Sequence, residues 1–242
     1  VDSVGAHYTL PTAVSALRRA GVDAETFMPI LRPGKFTFLN LRTHRKILVI
    51  DGEIGFTGGI NIRQGHVLKE DPGEPTHDTH FRIEGPLVYH LQRTNIEDSS
   101  FTTGEELSGE AYFPPLRSRG EMIGRGIPDG PDEHFENLHW VLQGALAAAR
   151  ERVVIITPYF LPEDTLLDML QLTAMRGVRV DIILPQRSNL FYIDWASTPS
   201  WAPLLKHGCN IWLTPKPFDH SKLMVVDGEW SLLGSANWDP RS

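Results

Sequence analysis

Five residue types recur at one spacing in two places: His44, Lys46, Asp51, Gly58 and Asn61, then His220, Lys222, Asp227, Gly234 and Asn237. In an extended segment residues i and i+2 project to one face. Each His therefore points the same way as its Lys, and each Asp falls on the opposite parity. An imidazole beside an ammonium suits an anionic substrate, since one can attack or move a proton while the other neutralises charge. The glycines let backbone approach a ligand closely. Asn61 and Asn237 each offer an amide to a phosphoryl oxygen. The chemistry this implies is the cleavage and re-formation of phosphodiester bonds by two halves of one site.

The spacing is specific. The pattern H-x-K-x4-D-x6-G-x2-N should arise by chance on the order of once in several million positions, at residue usages of a few per cent each. The two copies also share Val49/Val225, Gly52/Gly228 and Glu53/Glu229. This duplicated motif resembles that of the phospholipase D superfamily. Gly234-Ser235-Ala236-Asn237 matches the family's G-S-x-N form, while the first copy has Gly59 in place of the serine. Further stretches resemble bacterial cardiolipin synthases: Thr157-Pro158-Tyr159-Phe160-Leu161-Pro162, Asp194-Trp195-Ala196-Ser197, HDTHFRIEGP from His77 and the closing GSANWDPRS.

The elements that must position these residues follow from pattern. Each motif reads as a strand, an Asp-Gly turn (Asp51-Gly52 and Asp227-Gly228) and a second strand, Ile54–Thr57 in the first copy. The Asp at each turn reads as structural. A helix is expected over Leu10–Ala20, stopped by Gly21, then a strand Val22–Phe27 and a loop Met28–Leu41. Val1–Gly5 reads as the tail of a strand. Arg63–His77 reads as a surface loop, His77–Glu84 as an alternating strand, and Gly85-Pro86 as the opening of a helix to about Ile96. Residues 97–131, rich in Gly, Pro and Ser, read as a linker. A helix capped by Asp132 runs to Ala149, followed by a buried strand Arg152–Thr157 and a helix ended by Gly177. Strand Val178–Leu184, helix Pro199–His207 and strand Cys209–Leu213 then repeat the order seen before the first motif. The fold class is α/β, with two pseudo-symmetric phospholipase D-like lobes, 1–96 and 132–242. Each is expected to hold a mixed sheet flanked by helices.

Composition narrows the class. The chain has 242 residues, 41% apolar and 22% charged, as in ordinary globular domains. A net charge of −7 argues against nucleic acid as partner, because a nonspecific binder carries a basic excess. The single Cys209 excludes an internal disulfide and a thiolate metal cluster, and its neighbours suggest a buried strand position. Neither a membrane span nor a signal peptide is visible. The chain opens at Val1 without a methionine and closes five residues after Asn237, so both ends read as cut and an anchor is expected elsewhere.

The resemblance implies more. His44, Lys46, Asp51, His220, Lys222 and Asp227 would form the catalytic set, with Asn61, Asn237, Ser235 and Tyr159 on the substrate. Tyr159 lies at a strand's C-terminal end, where ligands bind in open α/β sheets, and Phe160 beside it could share a lipid entry. Asp78 matches the acidic residue that orients the catalytic histidine, here assigned to His44. His44 would be the nucleophile and His220 the acid/base, although the residues themselves allow the reverse. No divalent-metal carboxylate cluster is visible, and two ammonium groups with two amides can stabilise the transition state alone, so neither metal nor cofactor is expected. The implied reaction joins two phosphatidylglycerol molecules at a membrane surface, the bacterial inner (cytoplasmic) membrane. A hydrolytic phospholipase D, a phosphatidylserine synthase, a nuclease and a non-catalytic lipid-binding scaffold are the competing readings.

Overall fold

The structure is a computed structural model that describes residues 1, 12–27, 44–67, 75–129 and 137–238. The strand tail over 2–5, the start of the first helix, the loop over 28–41, the cap at Asp132 and the last four residues lie outside the described residues. The chain divides into two compact units, one of Val1–Gly55 with Arg82–Phe135, the other of Phe56–Phe81 with Glu136–Pro240.

In the first unit, α1 (Ala13–Arg19) is capped by Thr12, whose hydroxyl accepts from the Ser15 N–H, and Gly21 follows in the left-handed region. The expected strand at Val22–Phe27 reduces to one bridge, in which the Phe27 N–H donates to Val1 O at 2.8 Å. β1 (Ile47–Ile50) leads through Asp51 and Gly52, both at positive φ, into β2 (Ile54–Gly58). A short side chain that can bond locally makes Asp tolerable at such a φ. With β4 (His80–Glu84) they form a three-stranded sheet in the order β1-β2-β4.

The helix after Gly85-Pro86, α2 (Val88–Thr103), runs seven residues past the expected end at Ile96 and stops at Gly104, φ 78°. Its second half is polar, so no apolar stripe marks it. Thr94, Thr102 and Thr103 instead satisfy their hydroxyls on carbonyls four residues back. The residues beyond pack on the first motif: a Cβ at Gly52 would sit 2.5 Å from Pro114 Cδ and 2.7 Å from Tyr112 O.

The second unit is built on a five-stranded sheet in the order β10-β9-β5-β6-β7. β5 (Arg152–Ile156), β6 (Arg179–Pro185) and β7 (Asn210–Thr214) run parallel. β9 (Leu223–Val226) lies antiparallel to β5, and β10 (Trp230–Leu233) closes a hairpin through Asp227 and Gly228. Val153, Ile155, Val180 and Ile182 are fully buried, as parallel strands covered by helices require. α3 (Asn137–Ala148) and α4 (Asp164–Met175) contribute Leu142, Leu146, Leu166 and Leu170 to this core. Each such side chain stabilises by about 1.5–3 kcal/mol.

α5 (Phe191–Lys206) begins eight residues before Pro199, where the sequence suggested its first turn. Proline removes the bond to the carbonyl four residues back. For Pro199 that residue is Trp195, 82% exposed, and the helix continues through the proline. Cys209 is buried, as expected, and burial pushes its thiol up to about 11. Among the described residues no helix is long and apolar enough to cross a membrane.

Candidate active site

Both histidine–lysine pairs lie just before their strands rather than inside them, because β1 starts at Ile47 and β9 at Leu223. One local contact recurs in both copies. Lys46 Nζ donates to the His44 carbonyl at 2.8 Å, and Lys222 Nζ to the His220 carbonyl at 2.6 Å. In the first unit Arg45, between His44 and Lys46, anchors the segment through Asp98 of α2 at 2.5 Å and Asp129 O at 3.0 Å.

In the second unit the surroundings of His220 come from four separated segments. β3 (Thr76–His77) pairs in parallel with β8 (Phe218–Asp219), and the His220 N–H continues the ladder onto His77 O at 2.8 Å. That pairing brings Asp78 to His220. The alternation expected over His77–Glu84 breaks at Asp78-Thr79, because Asp78 Oδ1 takes the Thr79 N–H at 2.8 Å. Asp78 Oδ2 then accepts from His220 Nδ1 at 2.8 Å, with Gly59 O also 3.2 Å from that nitrogen. Asp78, assigned from the sequence to His44, thus bonds the other histidine. Local spacing suggested a partner in the same motif, and strand pairing supplied one 142 positions away.

Packing enforces the contact. A Cβ on Gly59 would lie 2.2 Å from Asp78 Oδ1, and one on Gly58 would lie 2.4 Å from Thr79 O. The glycine standing where the second copy has Ser235 therefore makes room for the carboxylate. Ser221 and Thr79 hydroxyls bond each other at 2.9 Å across the same junction. Lys222 is 5% exposed, with Nζ 3.2 Å from His220 Nδ1. A buried ammonium needs acceptors to keep its charge, and the His220 carbonyl is one.

Three rings surround the imidazole, each with its centroid about 6 Å away: Tyr159 at 5.9 Å, Phe218 at 6.0 Å and His66 at 6.1 Å. Tyr159, at the end of β5, is fixed by its hydroxyl donating to Asn189 Oδ1 at 2.8 Å. Phe160 turns the other way. It is 2% exposed and packs on Trp238, whose carbonyl accepts from the Leu161 N–H at 2.9 Å. It belongs to the core, not to a lipid entry, and it fixes the chain beside the buried Asn237. Ser235 is half-buried and Asn61 exposed. His66 carries no sequence signal. Burial holds it below its ordinary value, against the pull of Asp78.

Asp227 sits at the far end of β9 from His220. Its carboxylate accepts from the N–H groups of Arg150, Glu151 and Arg152 at 2.9, 2.9 and 2.8 Å. Those bonds hold it below the ordinary carboxylate range. It locks the β9–β10 turn onto the start of β5, so it positions the motif strand and does not touch the imidazole. Asp51 occupies the equivalent turn at φ 53°. Among the described residues His66, Asp78 and His220 place donor atoms within 4.8 Å of one another. Two histidines and a carboxylate are a donor set that a divalent metal accepts. Here Asp78 already accepts from His220 and Thr79, an arrangement that sets a proton.

A family model described as "Cardiolipin synthase, PLD-like domain" matches residues 142–242. The whole chain is 35% identical to 48% of a cardiolipin synthase from Geobacillus sp. (strain WCH70). It is also 35% identical to 50% of cardiolipin synthase 2 from Staphylococcus epidermidis. The chain therefore spans about half the length of the curated relatives it matches. Among solved structures, phosphatidylserine synthase from Haemophilus influenzae Rd KW20 superposes with a TM-score of 0.62 at 15% identity. That match covers all of this chain and 65% of the other, and it establishes the shared fold. Along its whole length the chain is similar to the cardiolipin synthases, and over residues 142–242 it matches a phospholipase D-like domain of that family.

Proposed function

We propose that this chain carries the catalytic part of a phosphatidyltransferase that makes cardiolipin and glycerol from two phosphatidylglycerol molecules at a membrane surface. The observation that carries the reading is the Asp78–His220 bond at 2.8 Å. A carboxylate on Nδ1 fixes the tautomer, stabilises the imidazolium and assigns the phosphoryl chemistry to Nε2. That suits His220 to deliver a proton. His44 is then the nucleophile: its ring nitrogen bonds phosphorus as the bond to the leaving glycerol oxygen breaks, and His220 protonates that oxygen. In the second step His220 takes the proton of the acceptor hydroxyl, the new P–O bond forms and the P–N bond of the phosphohistidine breaks. Lys46, Lys222, Asn61 and Asn237 stabilise the charge on the non-bridging oxygens.

The test is incubation of the full-length protein with labelled phosphatidylglycerol, followed by thin-layer separation. Cardiolipin with release of glycerol is the expected result. Phosphatidic acid alone would make the enzyme a hydrolase, and no turnover would leave a lipid-binding scaffold.

A further inference from the structure

The parallel strands β5, β6 and β7 put their carboxyl ends along one edge of the second unit, where α/β sheets bind ligands. Tyr159 follows β5, Gln186 and Arg187 follow β6, and Lys216 precedes Phe218 just beyond β7. β9 runs the other way, with Leu223 opposite Ile156, so His220 stands at the same edge. Beside it lies a cavity of about 280 Å³ lined by Gln186, Arg187, Thr214, Lys216 and Phe218, with Pro185 and Pro215. Phe218 is shared: its ring lines the cavity and stands 6.0 Å from the His220 ring. Among the described residues the lining holds two cations and no carboxylate, in a chain whose net charge is −7. Such a pocket selects an anion, and a guanidinium with an ammonium favours phosphate oxygens in particular.

We propose that this pocket binds the phosphodiester anion of the acceptor lipid, one glycerol away from the phosphorus being transferred. The inference rests on the transferase reading. An enzyme whose second substrate is water has no need of a second anion site. An acceptor phosphatidylglycerol brings its own phosphate and must have it held while its free hydroxyl reaches His220. The pocket thus explains how one acceptor could be preferred over water or a simple alcohol, a choice the motif residues cannot make because all three use the same base.

The experiment uses full-length protein on phosphatidylglycerol vesicles with ethanol supplied as a neutral competing acceptor. Cardiolipin and phosphatidylethanol are then formed by the same enzyme molecules from one donor, and their ratio is independent of how much protein is folded. In the double variant Arg187→Gln with Lys216→Gln the ratio should fall about tenfold or more, as expected for loss of charge-assisted contacts. Arg187→Lys with Lys216→Arg should recover most of it. An unchanged ratio, with both products falling together or neither, would overturn the proposal, since a donor-side or structural role affects both transfers alike. Inorganic phosphate at millimolar concentration that changes both products alike in the wild type, and neither in the Gln double variant, would make this a free-phosphate site and overturn the lipid assignment. Wild-type protein yielding only phosphatidic acid would remove the transferase reading itself, and the acceptor site with it.

Discussion

Substitution of Gly59 by alanine tests whether the Asp78–His220 bond drives the chemistry. Gly59 lies outside the left-handed region, so alanine adds contact and no backbone strain. Its Cβ would meet Asp78 Oδ1 at 2.2 Å and Oδ2 at 2.6 Å, where ordinary contact begins near 3.4 Å. The carboxylate must retreat by about 1.2 Å, which lengthens a 2.8 Å hydrogen bond beyond useful range. A hydrogen bond to a charged group contributes about 1.5–3 kcal/mol. At about 1.4 kcal/mol per decade the turnover rate should fall roughly 10- to 150-fold. The assay is the initial rate of cardiolipin formation by full-length protein, with the thermal midpoint measured in parallel to confirm folding. Asp78→Gly removes the obstacle as well as the bond, so Gly59→Ala should cost nothing further in that background. Wild-type turnover in Gly59→Ala, or losses that multiply in the double variant, would show that the glycine does not act through Asp78.

Three more outcomes follow from the same geometry. His44→Asn should abolish the phosphorylated enzyme trapped from labelled phosphatidylglycerol, whereas a label that persists would reverse the roles of the two histidines. Tyr159→Phe loses the bond to Asn189 but keeps the ring beside His220. It should therefore lower turnover less than tenfold, at about 1 kcal/mol for a neutral hydrogen bond, and less than Tyr159→Ala does. Asp181 is buried; burial pushes its carboxyl up, but hydrogen bonds from Trp212, Arg152 and Arg179 outweigh this and hold it below 3.8. Its stabilisation is therefore complete above about pH 4 and lost as pH falls through the lower folded-state value. Asp181→Asn should lower the thermal midpoint at neutral pH by roughly 1–3 kcal/mol of stability and flatten the acid limb of the midpoint–pH curve. An unchanged acid limb would remove Asp181 from that account.

The sequence alone determined what depends on near neighbours. Two positions apart is enough to put His220 and Lys222 together, and the Asp-Gly pairs announce the turns that end both motif strands. An apolar run such as Arg152–Thr157 announces a buried strand. The polar second half of α2 was not legible, since its threonines bond carbonyls inside the helix and leave no periodic stripe. The early start of α5 was hidden by Pro199, which lies inside the helix and not in its first turn. Only the tertiary structure decided which histidine Asp78 serves, why Gly59 replaces a serine, and that Phe160 enters the core while Tyr159 faces the imidazole. Those outcomes follow from the pairing of β3 with β8 and the stacking of strand ends along one edge. Contacts between segments well separated along the chain leave no trace in local spacing.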